Sequence, residues 1–135
     1  MIAYKIVLVR DGQFVSVTHA YLGDLTVVYD AGKVTWPNLP GSKLFALESW
    51  SDAIDYFKKL EGLGAILQCE VGPFVRLPRG SQFNPSYSAR KGWLNGLPWD
   101  SEGNGIISNC EYILADWLKP VKIEITNASK HVSGI

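Results

Sequence analysis

The chain is poor in the residues from which most recognisable active sites are made. It has 135 residues, of which two are cysteine, two histidine and one methionine, and its net charge is zero. Cys69 and Cys110 stand far apart, and the histidines, His19 and His131, are isolated, so no metal-ligand spacing is present and no metal or cofactor is expected. The balance of 13 basic against 13 acidic residues excludes a general nucleic-acid coat and a polybasic membrane binder. No apolar run approaches the roughly 18 residues of a membrane span. The start Met1-Ile2-Ala3-Tyr4-Lys5 lacks signal-peptide organisation. The chain is therefore expected in a reducing cytoplasm, with free thiols rather than a disulfide. A phosphate-binding loop, a dinucleotide fingerprint and a nucleophile elbow are all missing.

What is present is enough apolar surface for one core. Hydrophobic residues make up 47% and charged residues 19%, which excludes disorder, and the length suits a single domain over 1–126 with a flexible tail at 127–135. Positions 3–10 (AYKIVLVR) form a β-branched run that reads as a strand, and Asp11-Gly12 supplies a hairpin turn into a return strand at 14–18. Further strands are expected at 25–29, 34–36, 44–47, 65–71, 112–115 and 121–126, with a short segment at 74–77. One helix is expected at about 51–60. Ser49 caps it, and Trp50, Ala53, Ile54, Phe57 and Leu60 fall on one face with Asp52, Asp55, Lys58 and Lys59 largely on the other. Strands and helices do not alternate, so the fold class is α+β: a mainly antiparallel β-sheet with one covering α-helix and a long ordered loop. The helix stripe is expected to build the dominant core, and Gly72-Pro73 to break the strand before it.

The loop at 78–105 is the unusual segment. It is rich in proline and glycine, yet it carries Phe83, Tyr87, Trp93 and Trp99, rings that favour burial over disorder. Positions 71–99 contain no acid and hold Arg76, Arg79, Arg90 and Lys91. Positions 100–118 reverse the sign, with Asp100, Glu102, Glu111 and Asp116 and no base. Two readings stand: the blocks neutralise one another or are simply solvated, or the first is an anion site. In the second, Arg76, Arg79, Arg90 and Lys91 hold phosphate-like groups while Tyr87, Trp93 and Trp99 stack a ring. The same aromatics would also suit a host-protein partner.

Catalysis finds little footing. Cys69 lies in an apolar strand, and a Cys–His pair could use only His19. Arg10, Ser86-Tyr87-Ser88 and Glu111 follow the residue order of ADP-ribosyltransferases, which keeps that activity as the enzymatic alternative to a chain with no catalytic residues.

The scaffold resembles small uncharacterised accessory proteins of tailed bacteriophages and prophages. The resemblance rests on Ala3-Tyr4-Lys5-Ile6-Val7, Leu44-Phe45-Ala46-Leu47, Ser51-Asp52-Ala53-Ile54-Asp55-Tyr56-Phe57, Gln68-Cys69-Glu70-Val71 and the closing Leu114-Ala115-Asp116-Trp117-Leu118-Lys119-Pro120-Val121-Lys122. It implies an accessory phage gene and brings no catalytic residues. Ala89-Arg90-Lys91-Gly92-Trp93 is similar to a motif of phage proteins that sequester nucleotide immune signals, where it opens a different fold near the N-terminus. Together these imply a cytoplasmic anti-defence protein that binds an anionic, nucleotide-like small molecule. Enclosing such a ligand tightly favours a homo-oligomer.

Overall fold

The computed structural model describes residues 1–16, 27–38, 43–60, 62–77, 82–83, 106–107 and 111–127. Strand β1 (Ile2–Arg10) turns at Asp11 and Gly12 into β2 (Gln13–Ser16), and both turn residues have positive φ, 52° and 75°. That conformation is why an Asp-Gly pair stands there. The expected strand at 25–29 is described only as β3 (Val28–Tyr29), paired to β2. Positions 34–36 make a single bridge, Thr35 to Leu118, instead of a strand. Strand β4 (Leu44–Leu47) then leads into helix α1 (Trp50–Lys58), whose N-cap Ser49 is extended and accepts from the Asp52 amide at 3.3 Å.

The rest of the chain forms one long antiparallel ribbon. Strands β5 (Gly64–Val71), β6 (Phe74–Leu77) and β7 (Gln82–Phe83) run out, and β8 (Ile106–Ile107), β9 (Tyr112–Ala115) and β10 (Leu118–Thr126) run back. Gly72-Pro73 ends β5 at Val71, as expected, and β6 resumes at Phe74 while the pairing of the two arms continues across the break. Gly72 N donates to Trp117 O at 3.0 Å and Asp116 N to Pro73 O at 2.8 Å, which carries the ladder from Val71↔Leu118 to Phe74↔Ala115 in one register. The same register resumes in β7–β8, where Gln82 faces Ile107. Positions 78–81 and 108–111 separate the two paired stretches by equal lengths. Residues 82–83 and 106–107, the first of them inside the stretch read as a loop, are therefore strands.

Sheet order is β10-β5-β1-β4-β9-β6, with β2 added beside β1 and β3 beside β2. Because β5 runs into β6 and β9 into β10, the two ends of this order are joined by the chain itself. The segment after β3 closes the other side: Gly32 N donates to Pro120 O at 2.8 Å and Thr35 N to Leu118 O at 2.7 Å. β10 starts at Leu118, before the expected 121, because its register shift falls directly after Pro120 and lets a residue without an N–H sit in the ladder.

The sheet wraps around Ala3, Val7, Phe14, Tyr29, Leu44, Ala46, Leu67, Cys69, Ile113 and Leu118. This inner face is the dominant core, and it lies opposite the helix. The expected order of importance is thereby reversed. Alternate residues of the same strands, Ile6, Ile66 and Leu47, point outward to Ala53, with Ile54, Phe57 and Leu60 partly buried around them. Trp50 remains 39% exposed and meets Tyr4 edge-on, with ring centroids 5.1 Å apart. Asp52, assigned by its spacing to the solvated side, is only 5% exposed, and its carboxylate accepts from the Glu111 amide at 3.3 Å. That bond ties the helix start to the foot of β9. Asn127, placed by the sequence in a flexible tail, is fixed: its side chain accepts from Gly64 N at 2.8 Å. The remainder of that tail lies outside the described residues.

Candidate functional site

The ladder Tyr4↔Leu47↔Tyr112↔Leu77 lines up the last residue of β4, the first of β9 and the last of β6 beside Tyr4, near the start of β1. Arg76 stands one residue inside that line, opposite Ile113. Its guanidinium grips Glu48 with two parallel bonds, Nε to Oε2 at 2.9 Å and Nη2 to Oε1 at 3.0 Å. Glu48 sits where β4 ends, just before the helix cap, so register alone brings the two together. The Arg76 guanidinium also lies 5.0 Å from the centroid of the Phe74 ring. Both members of the ion pair face solvent, with side chains 61% and 40% exposed. The hydrogen bonds from Arg76 hold the Glu48 carboxyl below its ordinary value, and Glu48 in turn raises Arg76, with a further contribution from Glu111.

Arg76 is thus remote from acids in sequence but not in space. The mutual pairing of the two charge blocks is also not what their described members do. Arg76 pairs with Glu48, outside both blocks, and receives only a weaker field from Glu111; Asp116 pairs with Lys43. The other candidate ligand-binding residues, Arg79, Tyr87, Arg90, Lys91, Trp93 and Trp99, lie outside the described residues. So do Cys110, His19 and His131.

Cys69 is fully buried on β5, and burial pushes its thiol up to about 12, only partly offset by the nearby Lys5 charge. A thiol held protonated inside the core is packing, as its apolar strand predicted. Lys5 went unnoticed in the sequence. It shares the inward parity of Ala3 and Val7, is 9% exposed, donates from Nζ to Phe45 O at 2.7 Å and lies 5.5 Å from the centroid of the Tyr29 ring. Its signal was available: it is the one charge within the apolar run of β1, two residues from each inward neighbour.

For the ADP-ribosyltransferase order, Ser86 and Ser88 are outside the described residues. Glu111 precedes Tyr112, which stands in register with Leu47 and Tyr4, while Arg10 lies at the far end of β1. Six strand residues separate Tyr4 from Arg10, about 20 Å at the rise of an extended chain. Among the described residues no group of three His, Cys, Asp or Glu could hold a metal ion, and no helix is long and apolar enough to cross a membrane.

No protein-family model matches the chain, and neither a curated protein nor a solved structure does.

Proposed function

We propose that this chain is a non-enzymatic accessory protein of bacteriophage type, acting in the bacterial cytoplasm, whose segment 76–99 binds an anionic ligand of the nucleotide class. Sequestration of a nucleotide immune signal is the role that fits this chemistry. The observation that carries the reading is the acid-free run at 71–99. It supplies Arg79, Arg90 and Lys91 beyond the already engaged Arg76, interleaved with Tyr87, Trp93 and Trp99. Each charge-assisted hydrogen bond contributes about 1.5–3 kcal/mol. Three of them with one stacked ring approach the ~8 kcal/mol of a micromolar complex. A homo-oligomer would enclose the ligand more fully than one chain.

A host protein is the second reading, and the β7–β8 pairing favours it. Residues 82–83 and 106–107 pair as antiparallel strands, and a paired strand offers a backbone edge to a partner chain. A thermal-shift panel of mono-, di- and cyclic nucleotides at modest salt separates the two. Stabilisation by one nucleotide, lost in both Arg90→Ala and Trp93→Ala, supports the ligand site. A flat panel, together with a host protein that co-purifies through Trp93 or Trp99, gives the function to the partner surface.

A further inference from the structure

Along its edge away from β5, strand β1 changes partner. Tyr4 faces Leu47 of β4, whereas Val7 to Arg10 face β2. Two residues further, the Tyr4↔Leu47 register would set Ile6 opposite Phe45, but the next pair on that edge is Val7 with Ser16. β4 is thus joined to β1 by one residue pair, against four pairs to β9 on its other side. On the outer face this weak seam is crossed by Trp50, whose ring meets Tyr4. On the inner face it is crossed by Lys5, whose Nζ donates to the Phe45 carbonyl at 2.7 Å.

A charge in an apolar interior is costly and is kept only where it is paired or hydrogen-bonded, and a buried carbonyl equally needs a donor. Lys5 and Phe45 meet both needs where the β1–β4 ladder stops, with the Tyr29 ring of β3 beside the ammonium. A hydrocarbon side chain would fill the same volume without that bond. We infer that Lys5 is a latch: its ammonium takes the place of the missing ladder donor and holds β4, and with it the start of α1, against β1. It exchanges some global stability for closure of this one seam.

The test is hydrogen exchange, read peptide by peptide, in wild type and in Lys5→Met, which keeps the stem of the side chain and removes its charge. Lys5→Met is expected to lower the protection of 44–47 by about tenfold or more, the equivalent of one hydrogen bond to a charged group. Segment 64–71 should keep at least its wild-type protection. Unchanged protection of 44–47 overturns the inference. So does an equal loss in 44–47 and 64–71, which makes Lys5 an ordinary part of the core. Acetylation of wild-type lysines, followed by mass spectrometry, reads the same opening without a substitution and decides alone if Lys5→Met does not fold. Segment 44–47 is expected to open more readily than 64–71, and Lys5 to be acetylated with it. Acetylation of Lys5 only as slowly as 64–71 exchanges contradicts the latch.

Discussion

The indole of Trp117 fills the space in which a side chain on Gly72 would stand. A Cβ there would come within 2.5 Å of Cε2 and 2.6 Å of Cδ1 of the ring. Gly72 is buried at the bend of the ribbon, and its amide donates to the Trp117 carbonyl, so backbone and ring are fixed on the same residue.

Gly72→Ala is accordingly expected to destabilise the protein by about 1–3 kcal/mol, the cost of overpacking a fitted contact. Urea unfolding followed by tryptophan fluorescence measures it. In a Trp117→Ala background the same substitution becomes nearly neutral. An equal loss in both backgrounds places the cost elsewhere.

The two faces of the sheet make a second comparison. Leu67 is fully buried on the inner face, while Phe57 is half-buried beneath the helix. Leu67→Ala is expected to cost about 3–5 kcal/mol and Phe57→Ala about 1–2 kcal/mol. The reverse order in chemical denaturation would return the dominant core to the helix side.

That ordering shows how far the sequence could be read. The β1–β2 hairpin was legible from Asp11-Gly12, and the helix from Ser49 and its apolar spacing, because turns and caps are local. Which side of the sheet holds the larger core was not legible: Ala3, Leu44, Leu67 and Ile113 meet only through pairing between distant strands. Gln82-Phe83 and Ile106-Ile107 are two-residue pieces in a setting rich in glycine and proline. Only the register inherited from β6 and β9 makes them strands. Glu48 carries no local mark of its bond to Arg76. Of the candidate site residues, Arg76 alone falls among those described, and its neighbourhood differs from the acid-free surroundings its sequence context implied.

Cys69 links burial to pH. Its thiol is raised from 9.0 to about 12 in the fold, so above pH 9 the unfolded chain releases a proton that the folded chain retains. The unfolded state then binds fewer protons, and stability falls as pH rises through this window by up to about 1.4 kcal/mol per unit. Below pH 9 both states hold the proton and the residue contributes no slope. Urea midpoints between pH 8 and 11 should therefore fall more steeply for wild type than for Cys69→Ala. Parallel lines would remove Cys69 from the alkaline response.

The central claim is that segment 76–99 binds an anion-bearing ring. Isothermal titration of the nucleotide that most stabilises wild type, at two salt concentrations, tests it most directly. The account predicts one binding event of micromolar affinity or better that weakens with salt. It also predicts at least a tenfold loss in Arg90→Ala and in Trp93→Ala. Binding that is indifferent to both substitutions, or no heat from any nucleotide, contradicts it.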